Sequence, residues 1–159
     1  LWCNIAVLSP DSSNMTKHIL IADDDILFRE LLIARLEGTG LVYDTASDGA
    51  EALAKATQGA YDLLLLDLRM PKLDGLRVLE GVRSSPRVRN TKVIVLTASR
   101  SDADIDEAER LGVDSYLSKP VDIERLFDRI CIVLDPDGAE ARKTWLVEDY
   151  SEEDFVLRS

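Results

Sequence analysis

Between Lys17 and Leu134 the chain alternates short apolar runs with longer segments whose apolar residues recur every three or four positions. His18–Ala22 (HILIA), Leu63–Leu66 (LLLL) and Lys92–Leu96 (KVIVL) are near-continuous apolar runs. That is the pattern of strands covered on both faces of a parallel sheet. Leu41–Ala46 (LVYDTA) alternates instead, and the run around Ser115-Tyr116-Leu117 is short, so both suit sheet edges. The segments between them have helical periodicity. Phe28, Leu31, Leu32 and Leu36 fall on one inward face, stopped by Gly38 and Gly40. Asp48 with Glu51 three residues on predicts a capping box opening a helix through Ala50, Leu53 and Ala54. Leu76, Leu79 and Val82 mark a third helix, closed by Ser84-Ser85-Pro86. A fourth runs from about Asp102 to Leu111 with its acids outward and Gly112 at its end. Asp122 caps a fifth, with Leu126, Ile130 and Val133 inward.

Five strand–helix repeats predict an α/β fold, a doubly wound (βα)5 unit with a five-stranded parallel sheet, right-handed crossovers and helices on both faces. Placing the three two-sided strands in the middle gives the flavodoxin-like order 2-1-3-4-5, with the tips of strands one and three side by side at the switch point. Residues 16–134 make this single domain. Residues 1–15, with the turn-rich Ser9–Asn14, read as a disorder-leaning extension outside the fold, and Met15 as the natural start. Asp135–Ser159 holds eight acids against three basic residues and reads as an acidic tail or linker. Within it, residues 139–147 are expected to form a short helix anchored by Trp145, Leu146 and Val147.

Composition narrows the function classes. The net charge of −11 over 159 residues argues against a surface that contacts nucleic acid directly. No apolar stretch approaches the length of a membrane span, and LWCNIAVLSP lacks the basic leader of a secretory signal. Cys3 and Cys131 are too few and too far apart for a disulfide framework, so a reducing cytoplasm is the expected location. With His18 the sole histidine, neither a His-based metal site nor a catalytic triad has enough parts.

The chemistry gathers at strand ends. Asp23 and Asp24 follow the first strand, Asp67 ends the third, Thr97 ends the fourth and Lys119 follows the fifth. Singly, each has an ordinary role: helix-capping acids, a hydroxyl cap and a surface lysine. The predicted topology brings them together. Two unit charges 4 Å apart repel by roughly 4 kcal/mol at an effective dielectric near 20, and whole domains are stable by only about 5–15 kcal/mol. Three crowded carboxylates therefore call for compensation, which Lys119 and a hard divalent cation held by oxygen ligands would supply. Carboxylate, lysine, hydroxyl and such a cation are the parts of phosphoryl transfer, in which an aspartate can attack phosphorus to form an acyl phosphate.

The stretches ILIADDD, LLLLDLRMPKLDGL, VIVLTAS and SYLSKP, in this order and spacing, resemble the response-regulator receiver domain of two-component signalling (the CheY-like superfamily) over about Lys17 to Leu134. The resemblance implies that Asp67 is the phosphoacceptor, with the phosphoryl group coming from a sensor histidine kinase or a histidine phosphotransfer protein. It implies Mg²⁺, with Mn²⁺ as a substitute, bound by Asp24 and Asp67, by Asp23 through water and by the Arg69 backbone carbonyl. Thr97 and Lys119 match the pair that binds phosphoryl oxygens, and Lys119-Pro120 matches a cis peptide. Thr97 and Tyr116 match the switch that reshapes the face of the fourth helix, fifth strand and fifth helix toward a downstream protein, an output domain or a second copy. Arg69 and Ser99 occupy positions that tune the lifetime of the acyl phosphate. Such a domain is not a conventional enzyme; it catalyses its own phosphorylation and dephosphorylation. Two rivals stand beside this reading. Asp23 and Asp25 have the D-x-D spacing of haloacid-dehalogenase-like phosphatases, with Asp23 as nucleophile and Asp25 as general acid, although Leu27 fits that pattern poorly. The other is a pseudo-receiver, a docking module that is never phosphorylated.

Overall fold

The computed structural model describes residues 16–99 and 101–136, and the expectations for residues 1–15 and for a helix over 139–147 lie outside them. Five strands alternate with five helices: β1 (His18–Ala22), α1 (Ile26–Leu36), β2 (Val42–Ala46), α2 (Gly49–Gln58), β3 (Leu63–Asp67), α3 (Gly75–Ser84), β4 (Lys92–Thr97), α4 (Asp102–Arg110), β5 (Ser115–Ser118) and α5 (Ile123–Leu134). The strands form one parallel sheet in the order β2-β1-β3-β4-β5.

The reason lies in the burial pattern. Every residue of β3 is buried, as are the last four of β1 and the last five of β4, so these strands need cover on both faces and take the centre. β2 alternates exposed and half-buried positions and ends buried only at Ala46, which an edge tolerates. On one face of the sheet α1 and α5 enclose Ile19, Ile21, Leu63, Leu65 and Phe127. On the other, α2, α3 and α4 enclose Leu20, Leu64, Leu66, Val93 and Val95. Each such side chain contributes about 1.5–3 kcal/mol through burial.

One helix face differs from the expectation. Leu31 is 60% exposed, whereas Phe28, Leu32 and Leu36 do face the core. The i, i+4, i+8 stripe is the inward one, and Leu31 lies about 100° round the helix from Leu32. Ile26 and Leu27 are exposed with it, so the start of α1 carries an apolar outer surface. In α2 the fully buried positions are Gly49, Ala52 and Ala56, while Ala50 and Ala54 are exposed. This rotation turns Gly49 against Leu73. A Cβ there would lie 1.7 Å from the Leu73 carbonyl oxygen, so only glycine lets this helix meet the β3–α3 loop. The cap itself is as expected at Asp48, whose side chain accepts from the Glu51 N–H, but Glu51 reaches back to the N–H of Ser47 rather than of Asp48.

Register sets the level of the strand tips. Ala22 lies opposite Leu66, Asp67 opposite Leu96, and Thr97 opposite Ser118. Asp23 therefore comes level with Asp67, Thr97 is the last paired residue of β4, and Lys119 falls one residue beyond its partner Ser118. With neighbouring strands about 4.8 Å apart, the carboxyl groups of Asp23 and Asp67 meet by geometry alone.

Candidate functional site

The site begins with two buried acids. Asp67 is 6% exposed and Asp23 1% exposed, at the ends of adjacent central strands. Asp67 Oδ1 accepts from the Arg69 N–H (3.0 Å) and Asp23 Oδ1 from the Asp25 N–H (2.9 Å), so each carboxylate is oriented by the turn that follows it. Their other oxygens share one cation. Lys119 Nζ donates to Asp23 Oδ2 (2.6 Å) and to Asp67 Oδ2 (3.1 Å), and lies 4.6 Å from the centre of the Phe28 ring. The Lys119 N–H donates to the Thr97 carbonyl (2.9 Å), which anchors its backbone beside the tip of β4, and its peptide with Pro120 is cis.

The loop after Asp67 is pinned as closely. Gly75 donates its N–H to the Leu68 carbonyl (2.9 Å), and a Cβ on it would sit 2.3 Å from the Asp67 carbonyl oxygen. The N-terminus of α3 thus abuts the backbone of the acid, a contact that any side chain at position 75 would push apart. On the far side Lys72, at φ 68°, pairs with Asp48 (3.0 Å), and Gly49 donates to the Pro71 carbonyl (3.2 Å).

Electrostatics follow from this packing. Burial pushes the Asp67 carboxyl above its usual range; the Arg69 N–H and Lys119 oppose that, and the Asp23 charge adds to it. For Lys119, burial works toward discharge, but the hydrogen bonds and charges of Asp23 and Asp67 outweigh it and hold the ammonium more firmly protonated than usual. Asp24 is exposed at the rim, and Asp23, Asp24 and Asp67 each offer an oxygen within 4.8 Å of the other two. Three carboxylates against one ammonium leave two negative charges in an all-oxygen pocket. That donor set and charge fit a hard divalent cation such as Mg²⁺.

The structure brings Asp23, Asp24, Asp67 and Lys119 together, with Thr97 fully buried on the next strand end. It also shows a connection that sequence reasoning missed. Ser99 donates its N–H to Thr97 Oγ1 (3.1 Å), and its carbonyl accepts from the Tyr116 hydroxyl (2.8 Å). The proposed switch pair thus meets on one intervening residue. Ser99 Oγ in turn donates to Asp104 Oδ2 (2.8 Å) in the first turn of α4, and Arg69 Nη2 donates to the same oxygen (3.1 Å). Burial, and then the nearby Asp104 charge, push the Tyr116 phenol up. Nothing local in the sequence marks Asp104, which looks like one more outward acid on an acidic helix. Asp25, the general acid of the phosphatase alternative, stands at the start of α1. Its Oδ1 accepts from the N–H groups of Leu27 and Phe28 and caps α1.

Comparison with known proteins shows the family. The sequence profile described as "Response regulator receiver domain" matches residues 19–131. Among curated relatives, the "Regulator of RpoS" of Escherichia coli K12 is 38% identical over 127 residues, covering 79% of this chain and 37% of that protein. The curated regulators matched alongside it are also longer, with 60% of a Haemophilus influenzae homolog and 44% of a Bacillus subtilis protein covered. Among solved structures, a CheY-like receiver domain protein from Methanospirillum hungatei superposes with a TM-score of 0.72 at 29% identity, covering 79% of this chain and 99% of that one. The receiver domain of the Pseudomonas aeruginosa sensor histidine kinase PA1611, whose active-site cleft coordinates a magnesium ion, superposes with a TM-score of 0.68 at 27% identity, covering 76% of this chain and 98% of its own. The profile match spans more than half the chain, and the five-stranded parallel sheet in the order 2-1-3-4-5 goes with the CheY-like fold of the solved neighbours. The chain belongs to the response-regulator receiver domains of two-component signalling.

Proposed function

We propose that Asp67 is the phosphoacceptor of a two-component phosphorelay. A phosphohistidine on a sensor kinase or phosphotransfer protein would be attacked by an Asp67 carboxylate oxygen. The P–N bond to the imidazole breaks as the P–O bond to Asp67 forms. Asp23, Asp24, Asp67 and the Arg69 carbonyl would hold the Mg²⁺, which when bound supplies positive charge against the phosphoryl oxygens. Lys119, already held between Asp23 and Asp67, needs only a small movement to meet a phosphoryl oxygen. Thr97 Oγ1 accepts from Ser99 and so keeps its own hydrogen to donate to another. The exposed Ile26, Leu27 and Leu31 beside the site present an apolar surface to the protein that delivers the group.

The switch follows from Ser99. When Thr97 turns toward a bound phosphoryl group it gives up the Ser99 N–H, and the loop that holds the Tyr116 hydroxyl shifts with it. The phosphoryl group then favours one of two packings of α4, β5 and α5, which a downstream protein, an output domain or a second copy reads. Residues 16–134 form the phosphoacceptor unit, acting in the cytoplasm, and the acidic stretch from Asp135 onward serves as linker or tail. Among the described residues no helix is long and apolar enough to cross a membrane.

The observation that carries this reading is the lysine shared between the two buried acids, with Asp24 beside them. Incubation with acetyl phosphate and Mg²⁺ should add one phosphoryl group by intact mass. Asp67→Asn or removal of the metal with EDTA should abolish it. An adduct undiminished in the variant would refute Asp67 as acceptor, and no adduct on the wild type would leave a docking module. Steady turnover of para-nitrophenyl phosphate would point instead to a phosphatase.

A further inference from the structure

A bridge of side chains spans the gap between the β3–α3 loop and the start of α4. Arg69, two residues past Asp67, extends its guanidinium across to Asp104 Oδ2 (3.1 Å) and Ser99 Oγ (3.4 Å). Ser99 Oγ donates to the same Asp104 oxygen (2.8 Å) and accepts from the Ser101 N–H (3.3 Å). Asp104 is itself fixed, its N–H donating to the Ser101 carbonyl (3.1 Å) and hydroxyl (3.4 Å). The arginine side chain is 69% exposed and the Asp104 side chain 23% exposed, so the aspartate is the anchored end and the arginine the mobile one. Without that anchor, a long flexible cation in open solvent would have no preferred position.

We infer that Asp104 is a positioning residue for the proposed acyl phosphate, holding Arg69 and Ser99 as a closed wall on the α4 side of Asp67 and so slowing its hydrolysis. The inference rests on Asp67 being the phosphoacceptor. In hydrolysis a water oxygen bonds to phosphorus, the P–O bond to Asp67 breaks, and the products are the free carboxylate, inorganic phosphate and a proton released to solvent. Water must approach phosphorus from the side away from Asp67. The Arg69–Asp104 bridge joins the residue whose N–H holds Asp67 Oδ1 (3.0 Å) to Ser99, whose N–H holds Thr97 Oγ1 (3.1 Å). Asp104 touches neither Asp67 nor the acids beside it; it acts through the two side chains it holds.

The test measures decay of the phosphorylated chain after removal of acetyl phosphate, by intact mass over time, for the wild type, Asp104→Asn, Arg69→Ala and the double variant. Each single variant should lose its label faster by roughly twofold to fivefold, the scale of one exposed ion pair. The double variant should decay no faster than Arg69→Ala, because both changes open one wall. Asp104→Glu, which keeps a carboxylate at the helix start, should hold the decay near wild type and so exclude a mere loss of helix stability. Wild-type decay in Asp104→Asn, or effects that multiply in the double variant, would overturn the role of Asp104 alone. A wild type that takes no label overturns the phosphoacceptor reading and this one together.

Discussion

α4 and α5 flank the same edge strand, β5, from opposite faces of the sheet, and they are held in opposite ways. α5 buries six of its residues, Leu126, Phe127, Arg129, Ile130, Cys131 and Val133. α4 buries one, Ala108. What α4 lacks in apolar contact it replaces with polar tethers at its two ends. Arg69 and Ser99 hold Asp104 in its first turn. At the other end the Arg83 guanidinium donates to the carbonyls of Leu111 (3.0 Å) and Gly112 (2.8 Å). Apolar packing is non-directional and strong in sum, whereas a tether of one or two hydrogen bonds can be exchanged for another of similar energy. In the proposed switch, α5 would be the part that stays and α4 the part that moves when the bonds around Ser99 are remade.

The sharpest way to break this comparison is to cut side chains on each helix. Phe127→Ala should cost about 3–5 kcal/mol and Leu126→Ala about 2–5 kcal/mol, because both are fully buried in the core beneath α5. Ile105→Ala, half-buried on α4, should cost less than about 1 kcal/mol. Urea denaturation of the three variants decides it, and a loss at Ile105 as large as at Leu126 would end the claim that α4 is only tethered.

Next in size is the tether at Arg83. Besides Leu111 and Gly112, it donates to the carbonyls of Arg89 (2.8 Å) and Thr91 (2.7 Å). Arg83→Met keeps the stem and strands four acceptors, for a loss of roughly 2–3 kcal/mol. The comparison adds a spatial expectation. Amide exchange should speed up at Gly112, Val113 and Asp114 around the α4–β5 turn, while Ile130 and Cys131 in α5 keep their protection relative to global stability. Uniform loss of protection would mean that Arg83 supports the whole domain rather than one end of α4.

This contrast also marks how far the sequence could be read. Strand order was legible because the runs at Ile19, Leu63 and Val93 have no polar position to turn toward water, which leaves them only the centre of the sheet. From that order and the strand lengths, the meeting of Asp23, Asp24, Asp67, Thr97 and Lys119 follows. α5 was legible for the same reason: Leu126, Ile130 and Val133 form an unambiguous stripe. α4 was legible in its extent, from Asp102 to its stop at Gly112, but not in what holds it, since long polar side chains from other segments leave no periodic trace, and Arg69 lies 35 residues from Asp104 and Arg83 28 residues from Leu111. The same weakness explains Leu31, where the apolar residues of α1 exceed the places the core can offer, and packing rather than hydropathy chooses between them.

The smallest effect sharpens the comparison through acid titration. Arg35 on α1 donates twice to Glu124 on α5 (2.8 and 3.0 Å) and lies 3.9 Å from the centre of the Phe127 ring, so this pair joins two helices. On α4, Glu107 forms its ion pair with Arg110 of its own helix, and the charge of Arg77 on α3 acts on it more weakly. In both acids the arginine's hydrogen bond is the main reason that the carboxyl is held below its usual value. A depressed carboxyl stabilises the fold above its unfolded-state value, about 4.3 for glutamate, and that contribution is lost as pH falls through the folded-state value. Glu124→Gln should therefore lower stability near pH 7 by less than about 1 kcal/mol, and its curve should rejoin that of the wild type on acidification. Glu107→Gln should show the same sign with a smaller amplitude, because breaking a pair within one loosely packed helix frees nothing else. Denaturation midpoints between pH 3 and pH 7 separate the cases. If the α4 variant loses more than the α5 variant across that range, then the pair on α4 is linked to the rest of the domain, and the helix is less free than its single buried alanine implies.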